Sequence, residues 1–150
     1  MGSNINKYSL RLVKEPEGAY DLNKKINNPL DAVKAINEIV ELKSRSEEVF
    51  VILTLDSRNN LTGIFEVSVG SLTTSVATPR EIFKRAILAN AASILLAHNH
   101  PSGEVEPSNN DIDIKKKLVS IGELIGIEIL DHIIIGHDDL YLSMKSKSII

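Results

Sequence analysis

The residues best suited to chemistry stand close together. They occupy Leu96-Ala97-His98-Asn99-His100-Pro101-Ser102-Gly103 and, a few positions on, Ser108-Asn109-Asn110-Asp111. His98 and His100 follow Ala91 to Ala97, a run with the composition of a buried strand. Side chains two apart in extended backbone point to the same side, so both imidazoles can converge on one point. Asp111 falls in the first turn of the helix that follows and can face back toward that strand end. Two neutral imidazoles and a carboxylate form a three-ligand set that leaves zinc one open position, as in catalytic sites. The ten residues between His100 and Asp111 include Pro, Ser and Gly and can fold back as a tight loop. Each half also has an ordinary structural explanation. A histidine at a strand end commonly meets a hydrogen-bond partner, and Ser108 with Asp111 reads equally as a helix N-cap with a first-turn acid.

Composition narrows the chemistry further. The 150 residues suit one domain with a proper core, and 43% hydrophobic with 25% charged residues is ordinary for a soluble globular chain. The chain has no cysteine, which excludes thiol nucleophiles, iron–sulfur ligation, disulfides and every cysteine-based zinc module. A formal charge of −3 argues against a chain-wide basic surface for nucleic acid, and Lys115-Lys116-Lys117 reads as a solvated helix face. No run of about twenty apolar residues is present, and Met1 to Asn6 lack the apolar core of a signal peptide. A cytoplasmic protein that does not cross a membrane is the expectation. Phosphate-binding glycine loops, His-Glu-x-x-His and Gly-x-Ser-x-Gly are all missing.

The elements that must position the cluster can be read from periodicity and capping. Asn28-Pro29 opens a helix with Leu30, Val33, Ile36, Ile39 and Val40 on one face, ending near Ser44 to Ser46. Val49 to Leu55 is continuously apolar and β-branched, a buried strand. Asp56 to Asn60 turns the chain into an alternating strand, Leu61 to Val69, which Ser71 to Ala77 could continue. Thr78-Pro79-Arg80-Glu81 is a capping box with Pro at N1. A third helix runs from its Ser108 cap to Gly126, with Ile114, Leu118, Ile121 and Ile125 as its core stripe. Ile127 to Ile135 and Leu140 to Met144 read as strands, and Tyr8 to Leu12 as a short edge strand. Hairpin and crossover connections are mixed, which predicts an α/β fold with a mixed β-sheet flanked by helices.

His-x-His-Pro followed by Ser-x-x-Asp, with Pro101 to Pro107 between the second His and the Ser, resembles the JAMM (MPN-plus) metalloprotease signature. The wording His-Asn-His-Pro-Ser-Gly, together with Pro79-Arg80-Glu81 and Leu130-Asp131-His132-Ile133, resembles its RadC branch. The likeness covers about residues 29–150 and leaves 1–28 as an N-terminal arm. It implies an architecture similar to the cytidine deaminases, with His98, His100 and Asp111 as zinc ligands and Ser108 holding the oxyanion or the metal-bound water. It also implies a glutamate on an upstream strand acting on that water. Glu66 is the candidate. It shares a strand face with Ile64 and Ser68, and so reads equally as a solvated residue. Glu81, explained by its capping box, and Asp56, at another strand end, are rivals. Asp131 and His132 are either partners that orient a ligand imidazole or paired polar groups at a strand end.

The activity implied is zinc-dependent hydrolysis of a polypeptide or isopeptide substrate. The alternative is a non-catalytic accessory protein of DNA repair or mobile elements that uses the fold as a binding module. A hydrolase of nucleobases or other small amides ranks last, because the deaminases' cysteine ligands and adjacent glutamate are missing. Full-length RadC proteins carry an N-terminal helix-hairpin-helix region, for which 28 residues are too few. DNA contacts made through it do not carry over, and direct DNA binding has weak support. Oligomeric state is left open.

Overall fold

Capping decides where the helices of this chain begin. The computed structural model describes residues 2–15, 18, 20–70 and 77–149. Helix α1 (Pro29–Val40) starts with the Asn28 side chain accepting from the Asp31 amide and Pro29 pre-set for the first turn. Helix α2 (Pro79–Leu88) is capped by Thr78 in the same way. In α3 (Asn109–Ile125) the capping is reciprocal between Ser108 and Asp111, and Gly126 ends the helix in the left-handed region at φ 75°.

The strands are β1 (Glu48–Leu55), β2 (Leu61–Gly70), β3 (Ser93–Asn99), β4 (Glu128–Ile135) and β5 (Tyr141–Ser143). They form one sheet in the order β2-β1-β3-β4-β5. Only β3 and β4 run parallel, joined by the α3 crossover; the other neighbours are antiparallel. The fold is α/β with a mixed five-stranded sheet between helices, as the sequence suggests.

The two faces of the sheet carry separate cores. Val51 and Leu53 of β1, Leu95 and Ala97 of β3 and Ile133 of β4 pack against Ala32, Val33 and Ile36 of α1. On the opposite face Phe50, Ile52, Ile94 and Leu96 pack against Ile82, Phe83 and Ala86 of α2 and Leu118 of α3. Burial on both faces explains why β1 and β3 are apolar runs rather than alternating ones. Among the described residues, no helix is long and apolar enough to cross a membrane.

Several expectations need correction. β3 does not stop at Ala97 but runs through Asn99, because His98 and Asn99 still pair with Ile134 and Ile135 of β4. Tyr8 to Leu12 forms no strand and stays exposed. The proposed continuation of β2 falls on residues 71–76, outside the described residues. The buried line of α3 is Asp111, Lys115, Leu118 and Gly122, with Ile125 42% exposed at its rim. Gly122 lies on that line because a Cβ there would collide with the Ile127 carbonyl, so the helix presses directly on the start of β4. Lys115 is therefore not part of a solvated face: it is 2% exposed.

Candidate metal centre

His98 is built into β3, flanked by Phe50 of β1 on one side and Ile134 of β4 on the other. Its ring stacks on Phe50 with centroids 6.0 Å apart and planes 4° from parallel. His100 lies one residue beyond the strand, on the same face, and its amide still bonds to the Ile135 carbonyl. The capping box delivers the third group. The Ser108 amide and hydroxyl both donate to Asp111 Oδ2, at 2.8 and 2.7 Å, and the Asp111 amide donates back to Ser108 Oγ. Cap and site are the same structure here, because the bonds that start the helix also aim the carboxylate at the histidines.

The three side chains converge through particular atoms. His98 Nε2 lies 2.9 Å from His100 Nε2 and 3.3 Å from Asp111 Oδ1, and His100 Nε2 lies 3.5 Å from Asp111 Oδ2. In a tetrahedral zinc site with bonds of about 2.0–2.1 Å, ligand atoms stand roughly 3.3–3.4 Å apart, so these spacings fit such an ion with small adjustments. The far side of each ring is anchored. His100 Nδ1 donates to the Glu104 carbonyl at 2.9 Å, which leaves the Nε2 lone pair facing the cluster.

His98 Nδ1 meets His132 Nε2 at 2.8 Å. For His98 to offer a lone pair at Nε2, its Nδ1–H must donate to His132, which places the His132 proton on Nδ1. Among the described residues, that buried atom has no hydrogen-bond partner. An orphaned buried N–H carries a free-energy cost, and a cation held by His98 accounts for accepting it. The donor set of two imidazoles and a carboxylate is one that zinc takes.

The electrostatics follow from a carboxylate buried against two imidazoles. Burial alone would push the Asp111 carboxyl up, but hydrogen bonds with His100 and His98 outweigh it and hold the group well below the usual carboxylate range. His100 is raised, chiefly by its hydrogen bond with Asp111, with a smaller contribution from the charge of Glu48. His132 is held well below its ordinary value by complete burial, reinforced by the neighbouring His98 and Lys115.

The structure does not bring Glu66 to this cluster. Glu66 pairs with Val51, which pairs with Ala97, so the three form a row on the α1 face, opposite to His98. A register shift in β2 between its partners Phe50 and Val51 sets this orientation. Its carboxylate binds Arg45 at 2.8 Å instead. Glu81 is engaged by Lys84 and Arg85, and Asp56 by Asn60 and Arg58 in its own turn. The Ser108 hydroxyl is committed to Asp111 rather than turned toward a reacting group. His132 does touch a cluster imidazole, whereas the Asp131 carboxylate accepts from its own neighbour's amide, from Ser143 and from the Lys145 amide.

The carboxylate that does share the histidine face is Glu48, which the sequence reading passed over. It has the parity of Phe50 and Ile52, on the face of β1 that carries His98, and its charge helps to raise His100. The signal was present in the sequence, in the second acid of the Glu47-Glu48 pair, two residues before the stacking Phe50 at the head of an apolar strand.

Residues 26–149 match the family model described as the RadC-like JAB domain. A UPF0758 protein of Alkaliphilus oremlandii is 46% identical over 128 residues, covering 85% of this chain and 54% of the relative. One from Clostridium botulinum is 48% identical over 126 residues, 84% of this chain and 54% of the relative. One from Syntrophomonas wolfei is 38% identical over 146 residues, 96% of this chain and 62% of the relative. The chain thus spans between about half and three fifths of the length of these curated relatives. The match reaches from just before α1 through β5, and on that extent the chain belongs to the RadC-like JAB domain family.

Proposed function

We propose that this chain is a zinc-dependent hydrolase of peptide or isopeptide bonds. The observation that carries this reading is the convergence of His98 Nε2, His100 Nε2 and the Asp111 carboxylate, with the outer nitrogen of each ring already engaged. Those three residues would hold the metal, and zinc there would supply Lewis acidity, polarising a carbonyl and making water easier to deprotonate.

The chain's own residues account for the rest. Glu48 is the general base: its carboxylate takes a proton from the attacking water, then returns it to the departing amine nitrogen, which leaves as a neutral amine. His132 fixes the ring of His98, and Ser108 fixes Asp111, so that the ligand atoms are held in place before substrate arrives. Phe50 backs His98 with an apolar ring and keeps that side of the site dry.

The reading is tested by incubating the zinc-loaded chain with linear peptides and with lysine-linked isopeptides, beside a chelator-treated control. Hydrolysis of one of these that disappears with chelation and returns with zinc is expected. The absence of any chelator-sensitive cleavage would overturn the hydrolase reading.

A further inference from the structure

Between the two histidines stands Asn99, and alternation along β3 turns it to the opposite face of the sheet. It is 2% exposed, and its three side-chain hydrogen bonds all go to one short segment. Its Oδ1 accepts from the Val49 amide at 2.7 Å, and its Nδ2 donates to the Glu47 carbonyl at 2.9 Å and the Arg45 carbonyl at 3.2 Å. These bonds cross some fifty residues of sequence. They replace main-chain pairing at the point where the β1–β3 ladder stops, at Phe50–His98. The held segment, 45–49, contains Glu48. The Arg45–Glu66 ion pair reinforces the same segment from the neighbouring edge strand.

We propose that Asn99 is a positioning residue: it clamps residues 45–49 from the rear of the sheet so that the Glu48 carboxylate faces His100. This rests on the reading of Glu48 as the base of a metal-dependent site. An alanine in its place leaves two carbonyls and an amide without buried partners and frees the strand start to swing away. A serine is too short to span Val49 and Glu47 together. A ligand histidine on each side of Asn99 means that one three-residue stretch sets both the metal's donors and the distance to the base. Glu66, on this account, contributes through Arg45 to the clamp rather than through contact with the reacting atoms.

The test uses the full chain with cobalt in place of zinc, because the visible cobalt spectrum reports on the site without any substrate. A nearby carboxylate disfavours a second negative charge, so Glu48→Gln moves the pH transition of that spectrum downward by about one unit. Asn99→Ala and Asn99→Ser are expected to move it in the same direction, with cobalt still bound at one ion per chain. A loss of stability alone would not shift this transition. In the unaltered chain, the Val49 amide is expected to exchange slowly with solvent, a measurement that needs no variant.

An Asn99 variant that binds cobalt and keeps the original transition, beside a shifted Glu48→Gln, overturns the clamp and leaves Glu48 in place. Rapid exchange at Val49 also overturns it. An unshifted Glu48→Gln, or an unaltered chain without a pH-dependent cobalt spectrum, removes the reading beneath the clamp and the clamp with it.

Discussion

Around His98, Asn99 and His100 the two faces of the sheet treat polar groups in opposite ways. On the rear face, Asn99 meets two carbonyls and an amide, and Arg45 meets Glu66; each group has a partner of the right kind. On the front face, two ring nitrogens point at each other 2.9 Å apart beside a carboxylate, and a buried imidazole N–H behind them has no partner among the described residues. Satisfied polar groups fix a backbone, whereas converging lone pairs with unpaired donors behind them mark a place where something else completes the bonding. One tripeptide supplies both, because alternation in a strand sends neighbours to opposite sides.

The comparison breaks most visibly if the two carboxylates are exchanged in role. Glu48→Gln is expected to lower turnover by 10²–10⁴-fold, the usual range for a general base, with metal retained. Glu66→Gln, on the rear face, should leave turnover within about tenfold, the lower end for residues that act through another. Steady-state rates of both variants on one cleaved substrate decide it, and the reverse ranking would reinstate Glu66.

Lys115 sharpens the picture on the front face. Burial pushes its amine down to about 8, partly offset by Asp131. The unfolded chain, near the ordinary 10.5, binds more protons between these values, so stability rises as pH rises from about 8 to about 10.5. Below pH 8 the buried charge costs about 3 kcal/mol. Lys115→Met is expected to raise the melting temperature at pH 7 by roughly 6–12 °C and to flatten the alkaline rise. A lower melting temperature would show that the ammonium is favourably paired.

The two serine- and threonine-capped helices give a smaller contrast. Removing either cap hydroxyl should cost about 1 kcal/mol of stability in denaturant titrations. Ser108→Ala should in addition weaken metal binding by about tenfold, since its hydroxyl holds Asp111, whereas Thr78→Ala should leave metal binding untouched. Equal metal affinity in both would separate the cap from the site. Smallest of all is the half-exposed Arg45–Glu66 ion pair, whose loss in Arg45→Met should cost less than about 1 kcal/mol.

Much of this was legible in the sequence, for physical reasons. Caps and proline placement fixed the helix starts, since Asn28, Thr78 and Ser108 act locally and need no tertiary partner. The spacing of His98, His100 and Asp111 was legible because a strand end and a helix start each have a single geometry. What depended on pairing register was not. A shift in the β1–β2 ladder decides which way Glu66 faces, and no local pattern reveals it. Likewise Lys115 was assigned to solvent by its type, although its i, i+4 relation to Asp111 sets it on the buried line. Asn99 could only be understood once a segment fifty residues away was seen to lie behind it.

The most direct test of the central claim is zinc affinity by chelator competition in the unaltered chain, His98→Ala and Asp111→Ala, with folding verified in each. One ion per unaltered chain is expected, with affinity falling by more than about a hundredfold in both variants, beyond the loss typical of outer partners. Equal zinc binding in all three proteins would contradict the account.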